Sequence, residues 1–235
     1  MNEFGYLMLR WMHFLFGITW IGLLYYFNFV QAPFFAETDP AVRSGAVQKL
    51  VPRALWWFRW GAMGTVIFGL LYMFAKWGME LHFTMQPWTV AILTGGSMGL
   101  IMWGNVWFVI WPNQQVVIAN AAAMAGGAQA DPAAATAGRR AALASRTNTL
   151  FSIPMLFFMG AASHWPSMFN YDLSTNGELW VWAILSGIVI GGLEANALIG
   201  TQGRTKEPLD SIPGVIHAGL ILWIALVAII KLSLG

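Results

Sequence analysis

Six stretches of the 235-residue sequence stay apolar long enough to cross roughly 30 Å of hydrocarbon at about 1.5 Å of helix rise per residue. They lie at about 8–30, 54–76, 88–111, 147–166, 179–200 and 212–233. In lipid, backbone N–H and C=O groups must be satisfied inside the spanning element, so continuous apolar runs fold as helices. A membrane barrel would instead show alternation in segments of about ten residues. Only 9% of the residues are charged, against about 25% in a soluble domain. The reading is an all-α integral membrane protein, a bundle of about six transmembrane helices forming a single domain over residues 1–235.

The basic residues report orientation. Of the twelve lysines and arginines, nine fall in or beside three connections: Arg43, Lys49, Arg53 and Arg59 near the first, Arg139, Arg140 and Arg146 near the third, Arg204 and Lys206 in the fifth. The positive-inside rule places these connections in the cytoplasm and both termini in the periplasm, as in a multi-pass protein of the bacterial inner membrane. The first connection has Thr38 or Asp39 before Pro40, a helix-start signal that predicts a short interfacial helix. The third is alanine-rich and reads as a cytoplasmic helical extension, broken at Gly126-Gly127 and restarting at Asp131-Pro132. Trp11, Trp77, Trp88, Trp165 and Trp180 sit where an interfacial belt would lie. The N-terminus lacks a basic region followed by a small-residue cleavage site, so the first helix is expected to be retained. A net charge of +2 does not suit nucleic acid, and zero cysteines exclude disulfides, iron–sulfur clusters and covalently attached c-type haem from this sequence.

Polar groups inside the spans carry the chemistry. Glu194, in "SGIVIGGLEANALIG", is a carboxylate where burial is most costly. The orientation above puts Arg59, Asn105, Asn148, Thr149, Glu194 and His217, from five helices, at about one level toward the cytoplasm. That set predicts a polar pocket open to the cytoplasm. Glu194 and His217 are the candidate proton-accepting catalytic groups; Arg59, Asn105, Asn148 and Thr149 are the candidate substrate contacts. Gly187 and Gly191 share a face with Glu194, which predicts close approach of a neighbouring helix. The plainer alternative is a Glu194–Arg59 pair that only holds helices together, with Arg59 snorkelling and the asparagines bonding across helices. A second group lies toward the outer side. His13 and His164 reach similar depths, and neutral imidazole is the usual axial ligand of a non-covalent b-type haem. The alternative for His13 is an ordinary hydrogen bond to a neighbouring helix. Trp103, Trp107 and Trp111, spaced i, i+4, i+8, read as packing rather than an electron path.

The blocks "WMHFLFGITWIGLLYYFNFVQ", "WWFRWGAMGT", "GNVWFVIWPNQQ", "ASRTNTLFSIPMLFFMGAASH" and "GLEANALIG" resemble the membrane domain of bacterial cytochrome-c-linked urate hydroxylases, the urate oxidase N-terminal domain family. The resemblance covers nearly the whole chain. It implies oxidation of urate to 5-hydroxyisourate, with electrons leaving through a c-type cytochrome instead of reducing oxygen to peroxide. The full-length form of that family carries a C-terminal c-type cytochrome with a CxxCH haem attachment. This sequence has no cysteine, so the expectation is a separate c-type cytochrome as acceptor. Two other readings stand beside it: a non-catalytic membrane subunit that anchors a periplasmic electron-transfer partner, and a purine or proton transporter.

Overall fold

The computed structural model describes residues 2–164 and 176–234. Its elements are α1 (Glu3–Glu37), α2 (Pro40–Lys49), α3 (Val51–Glu80), α4 (Pro87–Ala125), α5 (Pro132–His164), α6 (Asn176–Leu198), a 3-10 helix (Arg204–Asp210) and α7 (Ile212–Leu234). The architecture is all-helical among these residues, and α1, α3, α4, α6 and α7 are long and apolar enough to cross a membrane. α5 is as long but more polar, and its place in the bundle explains why. It packs against α1, α4, α6 and α7 and buries Asn148, Thr149 and Ser152 completely. A helix enclosed by other helices needs little lipid-facing surface and can satisfy polar side chains across its interfaces. The stretch expected to be the fourth span falls within α5 as far as His164, but α5 is not among the five helices apolar enough to cross a membrane; Trp165 lies outside the described residues.

Local signals set the helix ends. The Asn2 side chain accepts the Gly5 N–H at 2.9 Å and caps α1. α2 begins at Pro40 as read from the sequence, although the Asp39 side chain makes no capping bond. α4 ends at Gly126, the following Gly127 has φ +89°, and α5 restarts at Pro132 with Asp131 accepting the Ala133 N–H at 2.8 Å. The break in the alanine-rich connection is where the glycine pair placed it. Lys206, 2% exposed, donates to the carbonyls of Asn196 and Ile199 and so caps the end of α6.

Three helices contain π-helical turns: Tyr26–Gln31 in α1, Phe74–Glu80 in α3 and Asn105–Ile110 in α4. Each widened turn re-aims the residues beyond it, a feature frequent at functional sites. Small residues bring the helices together. A Cβ at Gly64 of α3 would sit 2.4 Å from the Phe16 ring of α1, and Phe16 is itself stacked on Phe68 at 5.7 Å. A Cβ at Gly219 of α7 would meet the Leu150 carbonyl of α5 at 2.9 Å. That carbonyl lies four residues before Pro154, which has no N–H to give it. The close contact expected at Gly187 and Gly191 is not formed among the described residues: both are exposed, with nothing within 4 Å of a built Cβ. α6 instead buries Trp182, Ser186, Ile190 and Ala197, a stripe beside the glycines.

One end of the bundle gathers the end of α1, α2, the start of α3, the end of α4, the start of α5, the 3-10 helix and the start of α7. It carries the nine clustered cations, among them Arg139, which bonds Asp210 at 2.5 Å. We refer to it as the basic end.

Candidate functional site

A cavity of about 430 Å³ opens at the basic end, within the roughly 300–1,000 Å³ usual for ligand pockets. The π turn of α1 supplies Asn28 and Gln31, α2 supplies Arg43 and Val47, and α3 supplies Val51, Leu55 and Phe58. Ile110 and Gln114 come from α4, and Ser145 and Arg146 from α5. The apolar walls are thus interrupted by three amides, a hydroxyl and two guanidinium groups.

These polar groups differ in how far they are committed. Asn28, 4% exposed, spends its Nδ2 on the Leu24 carbonyl at 2.9 Å and on Ser145 Oγ at 2.8 Å, which ties the π turn of α1 to α5. Gln31 Oε1 is buried without a hydrogen-bond partner among the described residues. Arg146 reaches the Leu209 carbonyl at 3.5 Å, and neither Arg43 nor Arg146 has a carboxylate within ion-pair distance among the described residues. Two cations and an unsatisfied amide oxygen therefore face one space, a donor–acceptor set suited to a planar anion bearing N–H groups.

A second polar cluster lies one helical turn further into the bundle. Asn105 Nδ2 donates to Asn148 Oδ1 at 2.9 Å and to Glu194 Oε2 at 3.1 Å. Asn148 Nδ2 donates to the Met102 carbonyl at 2.9 Å, just before the π turn of α4. Asn148 is fully buried and Asn105 is 3% exposed. The hydroxyls follow α5 upward: Thr149 donates to the Ser145 carbonyl, Ser152 to the Thr149 carbonyl, and Tyr25 pairs with Ser152 at 2.9 Å.

Of the six residues read as one pocket, the structure brings together Asn105, Asn148 and Glu194. Thr149 is adjacent, but its hydroxyl is spent on its own helix. Arg59 does not pair with Glu194. Its Nε bonds the Leu55 carbonyl at 3.3 Å and its guanidinium lies 3.5 Å over Trp111 and 5.4 Å from Trp107. An indole face offers a cation an attractive partner without a carboxylate, and the turn of α3 aims Arg59 at α4. His217 is exposed on α7, beside the buried stripe of Val215, Gly219, Leu222 and Leu226, and makes no hydrogen bond among the described residues. None of the six lines the cavity. Asn28, Gln31, Arg43, Gln114 and Ser145 do, and sequence reasoning did not select them. The signal available was "NFVQ", two amides three residues apart at the basic end of α1; the π turn that aims them inward has no such signature.

At the opposite end, His13 Nδ1 lies 2.8 Å from the Thr65 carbonyl. A carbonyl only accepts, so Nδ1 carries the proton and Nε2 keeps its lone pair, the arrangement common in metal-ligating histidines. Gly69 makes the room, since a Cβ there would meet the ring at 2.9 Å. His164 ends α5 and is exposed. The two helices are joined at Tyr25–Ser152, and each histidine lies twelve residues beyond that pair, about 18 Å along its helix, so they share a level. No contact brings them together. The tryptophan stripe of α4 packs as read: Trp107 meets Trp60 edge-on at 5.6 Å and Trp103 meets Phe108 at 5.7 Å.

Fold and site together define a polytopic α-helical membrane protein with an arginine- and amide-lined cavity at its basic end. The urate oxidase N-terminal family matches residues 64–230, well over half of the sequence, and the chain belongs to that family. The match spans Asn105, Asn148, Glu194 and Arg146, while Asn28, Gln31 and Arg43 precede it. No curated protein and no solved structure matches the chain.

Proposed function

We propose that this chain is the membrane part of a urate oxidoreductase that takes urate into the cavity at the basic end and passes electrons to a c-type cytochrome. The observation that carries the reading is the unpartnered Gln31 oxygen in a cavity that also receives Arg43 and Arg146. Urate is a planar, largely anionic purine whose ring N–H groups donate and whose carbonyls accept. The guanidinium groups complement its charge and Gln31 accepts a ring N–H, while Asn28, with both of its N–H groups committed, keeps the wall rigid.

Conversion to 5-hydroxyisourate takes oxygen from one water and releases two electrons and two protons. A c-type cytochrome accepts the electrons one at a time. The basic end faces the cytoplasm in this reading, and the acceptor docks on the periplasmic side. Glu194 is a positioning residue here: through Asn105 it holds the start of the π turn whose far end brings Ile110 to the cavity. His13 would hold a b-type haem through Nε2, because its Nδ1 is fixed by Thr65 and its Nε2 makes no hydrogen bond among the described residues. His164 is the second candidate at that level. Such a haem supplies a one-electron relay when bound.

Urate-dependent reduction of cytochrome c, followed by absorbance in membranes carrying the chain, tests the reading. The parent should turn over, and Arg43→Gln with Arg146→Gln should raise KM at least tenfold. Turnover by that double variant with unchanged KM would remove the cavity from the mechanism.

A further inference from the structure

We infer that the start of α3 carries a binding site for the headgroup of an anionic phospholipid. A shallow depression of about 370 Å³ on the outer surface is lined by Pro52, Arg53, Trp56 and Trp57. Arg53 is exposed and has no carboxylate within ion-pair distance among the described residues. Lys49, four residues earlier and also exposed, lies on the same helical face, because the turn is continuous from α2: Leu50 N–H bonds the Ala46 carbonyl and Ala54 N–H bonds the Leu50 carbonyl. Residues 40–60 hold four cations and no carboxylate.

The aromatic side of the depression specifies lipid. Trp56, Trp57 and Trp60 are 48%, 60% and 45% exposed, a large indole surface to leave against water. Trp56 and Trp57 meet edge-on at 4.9 Å and form a fixed wall. At the start of a membrane-spanning helix these rings sit at headgroup level, where indole prefers to lie. The Arg53 fork then meets a phosphate, Lys49 adds charge, and the indole wall takes the glycerol and upper acyl region. A free phosphate would use the cations and leave the wall bare. The site is separate from the cavity, which Arg53 does not line, and does not rest on the proposed urate chemistry.

Brominated lipids in nanodiscs test it through tryptophan fluorescence. Phosphatidylcholine discs containing brominated phosphatidylglycerol are compared with discs containing the same fraction of brominated phosphatidylcholine, and Trp56→Phe with Trp57→Phe isolates the signal of the wall. Anionic lipid should be enriched there about fivefold per basic side chain, giving stronger quenching by the phosphatidylglycerol. Lys49→Gln with Arg53→Gln should erase that excess and leave the melting temperature unchanged, and millimolar inorganic phosphate should not displace it. Equal quenching by the two lipids in the parent would overturn the proposal, as would an excess that survives the loss of both cations. Displacement by inorganic phosphate would reassign the site to a free anion.

Discussion

Replacing Glu194 by alanine separates two accounts of an intramembrane carboxylate. Were Glu194 half of a buried ion pair, its removal would strand a cation and cost about 3–5 kcal/mol. In the structure it accepts from Asn105 at 3.1 Å, and Arg59 is occupied over Trp111 at 3.5 Å. The loss is then one hydrogen bond to a carboxyl group, about 1–2 kcal/mol in a helical membrane protein. At roughly 2–4 °C per kcal/mol for a chain of this size, the melting temperature should fall by about 2–8 °C. Glu194→Gln, which keeps an acceptor for Asn105, should fall less. Near-UV circular dichroism in detergent gives the melting temperatures, and double-mutant cycles divide the interaction. Glu194→Ala with Arg59→Gln should be additive within about 0.5 kcal/mol, whereas Glu194→Ala with Asn105→Ala should couple by about 1 kcal/mol. A coupling near 3 kcal/mol between Glu194 and Arg59 would refute the reasoning and restore the ion pair.

Asn148→Leu keeps the branched shape but removes the acceptor of one buried Asn105 N–H and a donor to the Met102 carbonyl, so thermal unfolding should show a loss of about 1–3 kcal/mol. Gly64→Val places side-chain atoms where the Phe16 ring stands, and that ring is held by Phe68; proteolysis of membranes should show α1 released from α3 at lower temperature than in the parent. His13→Ala should abolish the Soret absorbance of protein expressed with added haem, while His217→Ala, on the exposed face of α7, should leave it unchanged.

The long helices were legible because lipid imposes so simple a rule: apolar length gives the span, and cations give one end. The same rule made Glu194 and Asn105 visible as anomalies inside apolar runs, and both lie in one hydrogen-bonded cluster with Asn148. Depth is readable from a sequence, but azimuth is not. Arg59 and His217 were assigned by level alone; the structure turns one onto tryptophans and the other to the outside. Gly187 and Gly191 failed for the same reason, since the buried stripe of α6 runs one residue to the side. The cavity was hidden by a further step. Asn28 and Gln31 lie in a π turn of α1, and a reading at 3.6 residues per turn misplaces whatever such a turn carries.

Calorimetric titration of urate into the purified protein tests the cavity most directly. The parent should bind urate saturably. Arg43→Gln with Arg146→Gln should weaken binding at least tenfold, since each charged hydrogen bond lost is worth about 1.5–3 kcal/mol, while the melting temperature without urate falls only slightly, through loss of the long 3.5 Å bond from Arg146 to the Leu209 carbonyl. Urate bound with undiminished affinity by a folded double variant would contradict the account and move the substrate site out of the basic end.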